Sequence, residues 1–305
     1  MSVVFPTPAS EPSRCDPVPE PRSQPLHTTV IADVARPQTA RRQAARRASL
    51  PVRVLLPWGL PVLVVGLWQL LSATGRLSPD VLPAPTDVLR IAWVLAERGE
   101  LQRDVLVSLR RVAIGFLSGS AVGLLLGFLV GLSSLAHGVL DRSLQMVRTI
   151  PHLALVPLMI LWFGIGEEPR VLLVALGSLF PVYLNTMSGI RNVDPKLVEL
   201  GRSYGLGQMA LIGAVVLPGA LQPILTGIRY GLGVAWLTLV VGETIASRDG
   251  IGYMVQNARE LLRTDVILLA ISLYAIAGWA ADTITRLIER RLLRWHPNYA
   301  RERAS

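Results

Sequence analysis

Charged residues vanish from long stretches of this chain. Residues 54–75, 112–136, 149–166 and 171–190 contain no Asp, Glu, Lys or Arg, and two further runs, 203–228 and 230–242, are separated only by Arg229. Runs of about 18–25 such residues have the length an α-helix needs to cross a bilayer core. Each backbone polar group in lipid must be satisfied within its own segment, so the runs read as helices. The pattern predicts an all-α, polytopic membrane protein with six transmembrane helices, near residues 54–73, 110–132, 142–163, 170–190, 220–244 and 266–286.

The second of these spans has glycine at every fourth position: Gly115, Gly119, Gly123, Gly127 and Gly131. Such a ridge lets another helix backbone approach closely, which is how helices associate in lipid. It predicts a helix packed inside a bundle. Between the first two spans, "PTDVLRIAWVLAERGE" reads as a short amphipathic helix. Thr86 is its expected N-cap, Val88, Ile91, Ala92 and Leu95 its apolar stripe, and Gly99 its stop. It is expected to lie on the outer membrane surface.

The connection 191–219 is of a different kind. In "RNVDPKLVELGRSYGLG" (191–207), Asp194 is a good N-cap, Pro195 suits the first helical position and Gly205 a C′ stop. The helix of about ten residues between them is near 15 Å long, too short to cross a membrane. Leu197, Leu200, Gly201 and Tyr204 form one stripe, expected to rest on the ends of the spans. Lys196, Glu199, Arg202 and Ser203 lie off it, free to meet something in the cytoplasm. A plain solvated connector is the other reading. A second apolar helix over 208–217 is expected to break at Pro218, with Pro223 in the first turn of the next span.

Composition agrees with lipid as the solvent. The chain has 305 residues, 51% hydrophobic and 17% charged, with mean hydropathy +0.47. Soluble domains carry about 25% charged residues. The net charge of +9 does not indicate nucleic acid, because the arginines gather at "RRQAARR" (41–47) and "RLIERRLLRW" (286–295), flanking the first and last spans. That is the mark of cytoplasmic flanks. Both termini are therefore expected in the cytoplasm, which requires an even number of spans and places 191–219 on the cytoplasmic side. Residues 1–50, rich in Pro, Ser and Arg, are expected to be a disordered cytoplasmic tail, followed by the membrane domain over 51–298 and a short cytoplasmic end, 299–305. The single cysteine, Cys15, excludes an intrachain disulfide.

No catalytic or metal-binding set emerges. "GRSYG" (201–205) matches the G-x-S-x-G elbow of hydrolases, but that elbow needs a strand before it and His and Asp partners. No phosphate-binding loop is present, since the only lysine is Lys196. If ATP drives this protein, another chain must bind it.

These residues carry a resemblance. The spacing of Glu199, Gly205 and Leu217-Pro218 resembles the EAA signature in permease subunits of binding-protein-dependent ABC importers, with Leu200 and Gly201 in place of its two alanines. "RTIPHLALVPLMILWFGIG" (148–166), "FPVYLNTMSGIRNVDPKLVELGRSYGL" (180–206) and "SRDGIGYMVQNARELLRTDV" (247–266) are similar to the nitrate/sulfonate/taurine branch. The ending "ERRLLRWHPNY" (289–299) looks most like its aliphatic sulfonate permeases. The resemblance implies the MetI-like permease fold in a bacterial cytoplasmic membrane. It also implies pairing with a second copy of the chain, cytoplasmic ATPase subunits that use ATP and Mg, and a periplasmic or lipid-anchored substrate-binding protein. No cofactor would be bound by this chain itself. The coupling residues it implies are Asp194, Lys196, Glu199, Gly201, Arg202, Tyr204, Gly205, Leu206 and Pro218. Taurine, nitrate or bicarbonate are alternative cargoes, and a secondary transporter is the alternative class.

Ionisable groups near membrane depth are candidates for the pathway. Arg148, His152 and Glu243 are the candidates here; an arginine facing the pathway would ease the entry of an anion such as a sulfonate. Arg148, Arg229 and Asp282 can instead snorkel or pair near the cytoplasmic boundary.

Overall fold

The computed structural model describes residues 50–78 and 80–293, with side chains described from residue 59 onward. The expected tail, its arginine cluster and the end 299–305 lie outside the described residues. Among the described residues all regular structure is helical. In chain order the helices are α1 Leu50–Ala73, α2 Pro85–Glu97, α3 Glu100–Leu132, α4 Ser134–Arg148 and α5 His152–Phe163. They continue with α6 Glu167–Arg191, α7 Pro195–Ser203, α8 Gln208–Ile245, α9 Ile251–Glu260 and α10 Thr264–Leu292. Among the described residues, those from Val64 onward form one compact unit, and the preceding part of α1 belongs to a separate one.

The bundle is organised around the contact of α3 with α6. A Cβ built on Gly115 would lie 2.7 Å from Val174 Cβ, one on Gly119 2.1 Å from the Ala175 carbonyl oxygen, and one on Gly123 2.6 Å from that of Leu179. Gly127 and Gly131 meet Thr186 and Ile190 in the same way, at 2.6 and 3.0 Å. All five glycines therefore face α6, and the contacts advance together along both chains, so the two helices run parallel. On its other side α6 meets α8 running antiparallel, with Gly177 against Thr238, Gly227 against Asn185 and Gly189 against Pro223. Small residues at each crossing bring the helix axes close, and dispersion between backbones replaces the hydrophobic drive that lipid does not supply. Gly119 has least room. We expect Gly119→Val to separate α3 from α6 and cost at least the 1–3 kcal/mol typical of overpacking, read as a lower unfolding midpoint in detergent. Gly138→Ala, where a Cβ meets nothing, should leave that midpoint in place.

Because α3 and α6 are parallel, the chain between them must return across the bundle. It does so through α4 and α5, bent by 73° at the break between them. Pro151 lies at the break. It lacks an N–H and disfavours helical geometry at the residue before it, so the single span expected over 142–163 is broken. Residues 134–148 also contain a π-helical turn, His137–Asp141. Among the described residues, four helices (α3, α6, α8 and α10) are long and apolar enough to cross a membrane, five crossings result if the bent pair counts as one, and the apolar Gly59–Ala73 of α1 is shorter.

Two expectations about the flanking helices change. Pro218 does not end a helix. The turn before it, Ile212–Val216, widens to π geometry, and Pro218 then sits at the start of the α-helical run Leu217–Ala246. The wider turn absorbs both the missing N–H and the ring. Likewise, α2 is not capped by Thr86. Its N-cap is Ala84 with Pro85 at the first position, and the Thr86 N–H is taken by Gln69 Oε1 at 3.3 Å. The stripe on α2 covers protein rather than a membrane surface. Val88 and Leu95 are buried with Ile251, Met254 and Ala258 of α9 and Val266 and Leu269 of α10, and Ile91 and Ala92 pack beside them. Its opposite side leaves Leu89 and Trp93 exposed.

Candidate functional site

The end of the bundle at which α3 and α6 finish carries α7. Asp194 Oδ1 accepts the Lys196 N–H at 2.9 Å, and Pro195 occupies the first turn, where its missing N–H costs nothing. At the other end Gly205 takes φ +77°. Its N–H donates to the Arg202 carbonyl at 2.9 Å, and the Leu206 N–H donates to Gly201 at 3.1 Å. This is the paired closure of a Schellman motif, which needs a left-handed residue at C′ and so favours glycine. Ser203 donates back to the Glu199 carbonyl at 3.0 Å. It lies inside a helix, not on a strand-to-helix elbow, and the hydrolase pattern falls away.

The faces of α7 differ from expectation. Of the apolar stripe only Gly201 is buried; Leu197, Leu200 and Tyr204 are 51%, 53% and 80% exposed. Gly201 is the contact with α8, where a Cβ would come within 2.6 Å of Leu211 Cδ1. Gly201 makes the closest approach to α8 and Val198 is half-buried, while the leucines and tyrosine remain largely exposed. With Ala214, Val215 and Pro218 of α8 they line an apolar groove of about 460 Å³. Lys196, Glu199 and Arg202 are exposed beside it, as is Leu206. Apolar and charged groups are thus presented on one short element at one end of the molecule.

The pathway candidates separate. Arg148 is exposed at the last turn of α4. His152, just past the bend, has Nε2 3.0 Å from Thr238 Oγ1 on α8. That hydroxyl also lies 2.9 Å from the Val234 carbonyl. Glu243 is 1% exposed and lies inside a cluster at the opposite end from α7.

The centre of that cluster is Arg111, also 1% exposed. Its Nη1 donates to Glu243 Oε1 at 2.8 Å and to the Asp249 carbonyl at 2.9 Å. Its Nε donates to Glu167 Oε2 at 2.8 Å, and its Nη2 pairs with the Asp249 carboxylate. Glu243 is satisfied in turn. Ser108 Oγ lies 2.8 Å from both its oxygens, the Gly252 N–H donates at 2.9 Å and Tyr274 Oη at 3.2 Å. One guanidinium thereby ties α3, α6, α8 and the 247–250 loop, and Glu243 adds α9 and α10. Gly250 and Gly252 admit this approach, since a Cβ on either would strike Glu243 at 2.6 or 2.3 Å. Arg111 was not among the sequence candidates, because with Arg110 it reads as the flank of a span. The available signal was its register: it stands four residues before Gly115, on the same face as the buried glycine ridge.

Residues 119–294 match the family described as the binding-protein-dependent transport system inner membrane component. The chain belongs to this family. The permease is 51% identical over 243 residues, 80% of this chain and 92% of the relative, to the putative aliphatic sulfonates transport permease protein SsuC of Escherichia coli K12. It is 45% identical to the Bacillus subtilis protein of the same name, across 79% and 87% of the two chains. With the taurine transport system permease protein TauC of Escherichia coli K12 it shares 35% over 84% and 94%. Among solved structures it resembles a chain of an amino acid ABC transporter crystallised with histidines. That likeness has a TM-score of 0.56 at 18% identity, covering 66% of this chain and 97% of the other. It supports the ABC-importer permease fold for the helices described above. The permease is a membrane-spanning transport subunit.

Proposed function

We propose that the permease forms the translocation pathway of an ATP-driven importer for aliphatic sulfonates. Two copies would enclose the pathway, with both termini in the cytoplasm of a bacterial cell and the membrane domain in its inner membrane. A cytoplasmic ATPase chain would bind ATP and Mg, and a substrate-binding protein would deliver cargo at the face bearing the Arg111 cluster. The observation that carries the reading is the exposed, rigidly capped α7 with its adjoining apolar groove. Exposed leucines and a tyrosine beside an apolar groove, rimmed by charged residues, are what a protein–protein contact site presents. The relatives' names support a sulfonate cargo over taurine, since identity to the two sulfonate permeases exceeds that to the taurine permease.

The ATPase contact has a direct test. Glu199 and Tyr204 are exposed, so Glu199→Arg and Tyr204→Ala should leave the permease folded. Both are expected to reduce co-purification of the ATPase chain by on the order of tenfold or more, as loss of an interface anchor does. Full retention of the ATPase by both variants would place the contact elsewhere.

A further inference from the structure

One face of α8 carries Thr226, Arg229, Tyr230, Gly233 and Leu237, spaced so that all point the same way. With Asn185 of α6 and Asp282 of α10, this face lines an open groove of about 570 Å³. The groove starts at the α7 end of the bundle, where Arg229 pairs with Glu289 in the last turn of α10, and follows the charge-free run 230–242 of α8, beside Asn185 of the run 171–190, into the apolar length. Polar groups at that depth are costly against lipid and belong on faces turned to water or to another subunit. Tyr230 is nonetheless exposed.

The groove has two chemically distinct halves. At one end Arg229 Nη1 donates to Glu289 Oε2 at 3.0 Å, where the carboxylate is buried and the arginine side chain is 35% exposed. Glu289 holds the guanidinium through Nη1, and Arg229, which has further N–H donors, lines the groove. Asn185 Nδ2 gives one proton to the Pro181 carbonyl at 2.8 Å and has a second. The other acid of the groove, Asp282, is held by Arg286 Nε at 2.7 Å. Toward the other end, Gly233, Val234 and Leu237 offer only apolar surface, over about 12 Å of helix from Arg229.

We propose that this groove is the cargo-contact site of the pathway: Arg229, with Asn185 and Tyr230, takes the sulfonate group, and the Gly233–Leu237 stretch takes the alkyl chain. The inference rests on the sulfonate importer reading above and assigns it a place. A sulfonate is an acceptor-only anion, and these three side chains are donors. An alkyl chain of several carbons fits the apolar length. Because Glu289 shares the charge of Arg229, the contact is weak, as a site must be if cargo is to leave it.

The test is uptake of alkanesulfonates of one to eight carbons by the full complex with its binding protein in liposomes. Arg229→Gln should lower uptake of every chain length by on the order of tenfold, the worth of a charge-assisted hydrogen bond, and Arg229→Lys should restore part of it. Leu237→Trp should lower uptake of the longer chains while methanesulfonate is affected least. If Arg229→Gln fails to assemble, the chain-length profile of Leu237→Trp decides: equal loss at every length overturns the site. Unaltered uptake in both variants also overturns it and leaves the importer reading standing. No alkanesulfonate uptake by the unaltered complex defeats both.

Discussion

Arg111→Gln is expected to be the most destabilising single substitution among the residues described. It leaves Glu243, which is 1% exposed, as a buried carboxylate without its counter-charge. Breaking a buried ion pair from one side costs about 3–5 kcal/mol, against a total stability of about 5–15 kcal/mol for a typical protein. Ser108, Tyr274 and the Gly252 N–H would still donate to Glu243, which sets the loss toward the lower end of that range. Glu167→Gln is the contrasting case. Its side chain is 59% exposed, solvent screens its charge, and pairs of that kind are worth about 0–1 kcal/mol. The double variant Arg111→Met with Glu243→Gln should recover much of the single variant's loss, because it removes the uncompensated charge itself. Thermal unfolding of the purified permease in detergent reads all three. A ranking in which Glu167→Gln equals Arg111→Gln would show that the cluster is not organised around Glu243.

Gly205→Val should have the largest effect on coupling to ATP. Valine at φ +77° is strained, a left-handed conformation costing roughly 1–2 kcal/mol for ordinary residues and more for β-branched ones. The strain falls on the two hydrogen bonds that close α7, from Gly205 and Leu206, so the helix end frays or turns elsewhere and Tyr204 loses its place. ATP hydrolysis stimulated by the binding protein should fall by on the order of tenfold, for a loss near 1.4 kcal/mol, with little change in the unfolding midpoint of the bundle. Gly207 is the internal control. It has φ −64° and open space around its Cβ position, so Gly207→Ala should behave as the unaltered protein. Equal loss in both variants would mean that the backbone at Gly205 is not what matters.

Much of this architecture is visible in the sequence because lipid imposes strong local rules. Charge-free runs mark α3, α6 and α8, and the Asp194-Pro195 start and Gly205 stop mark α7 within a residue or two. These signals depend on near neighbours in the chain. What the sequence conceals depends on distant ones. The break between α4 and α5 lies in an unbroken apolar run, where only Pro151 hints at it. Pro218 is a breaker by local rules, yet a π turn accommodates it. The stripe of α2 has the same pattern whether it lies on a membrane or under α9 and α10. Arg111 and Glu243 are 132 residues apart, and each alone reads as the boundary of a span. Leu197, Leu200 and Tyr204 belong to a stripe that local periodicity rests on the ends of the spans, whereas only Gly201 of that stripe is buried there.

The central claim is that this chain moves its cargo only when a separate ATPase drives it. The most direct measurement is alkanesulfonate uptake into liposomes holding the permease, with ATPase chain, internal MgATP and external binding protein supplied or withheld in turn. The predicted result is uptake that requires all three and stops when ATP is replaced by a non-hydrolysable analogue. Uptake by the permease alone, or driven by an ion gradient without the ATPase, would contradict it.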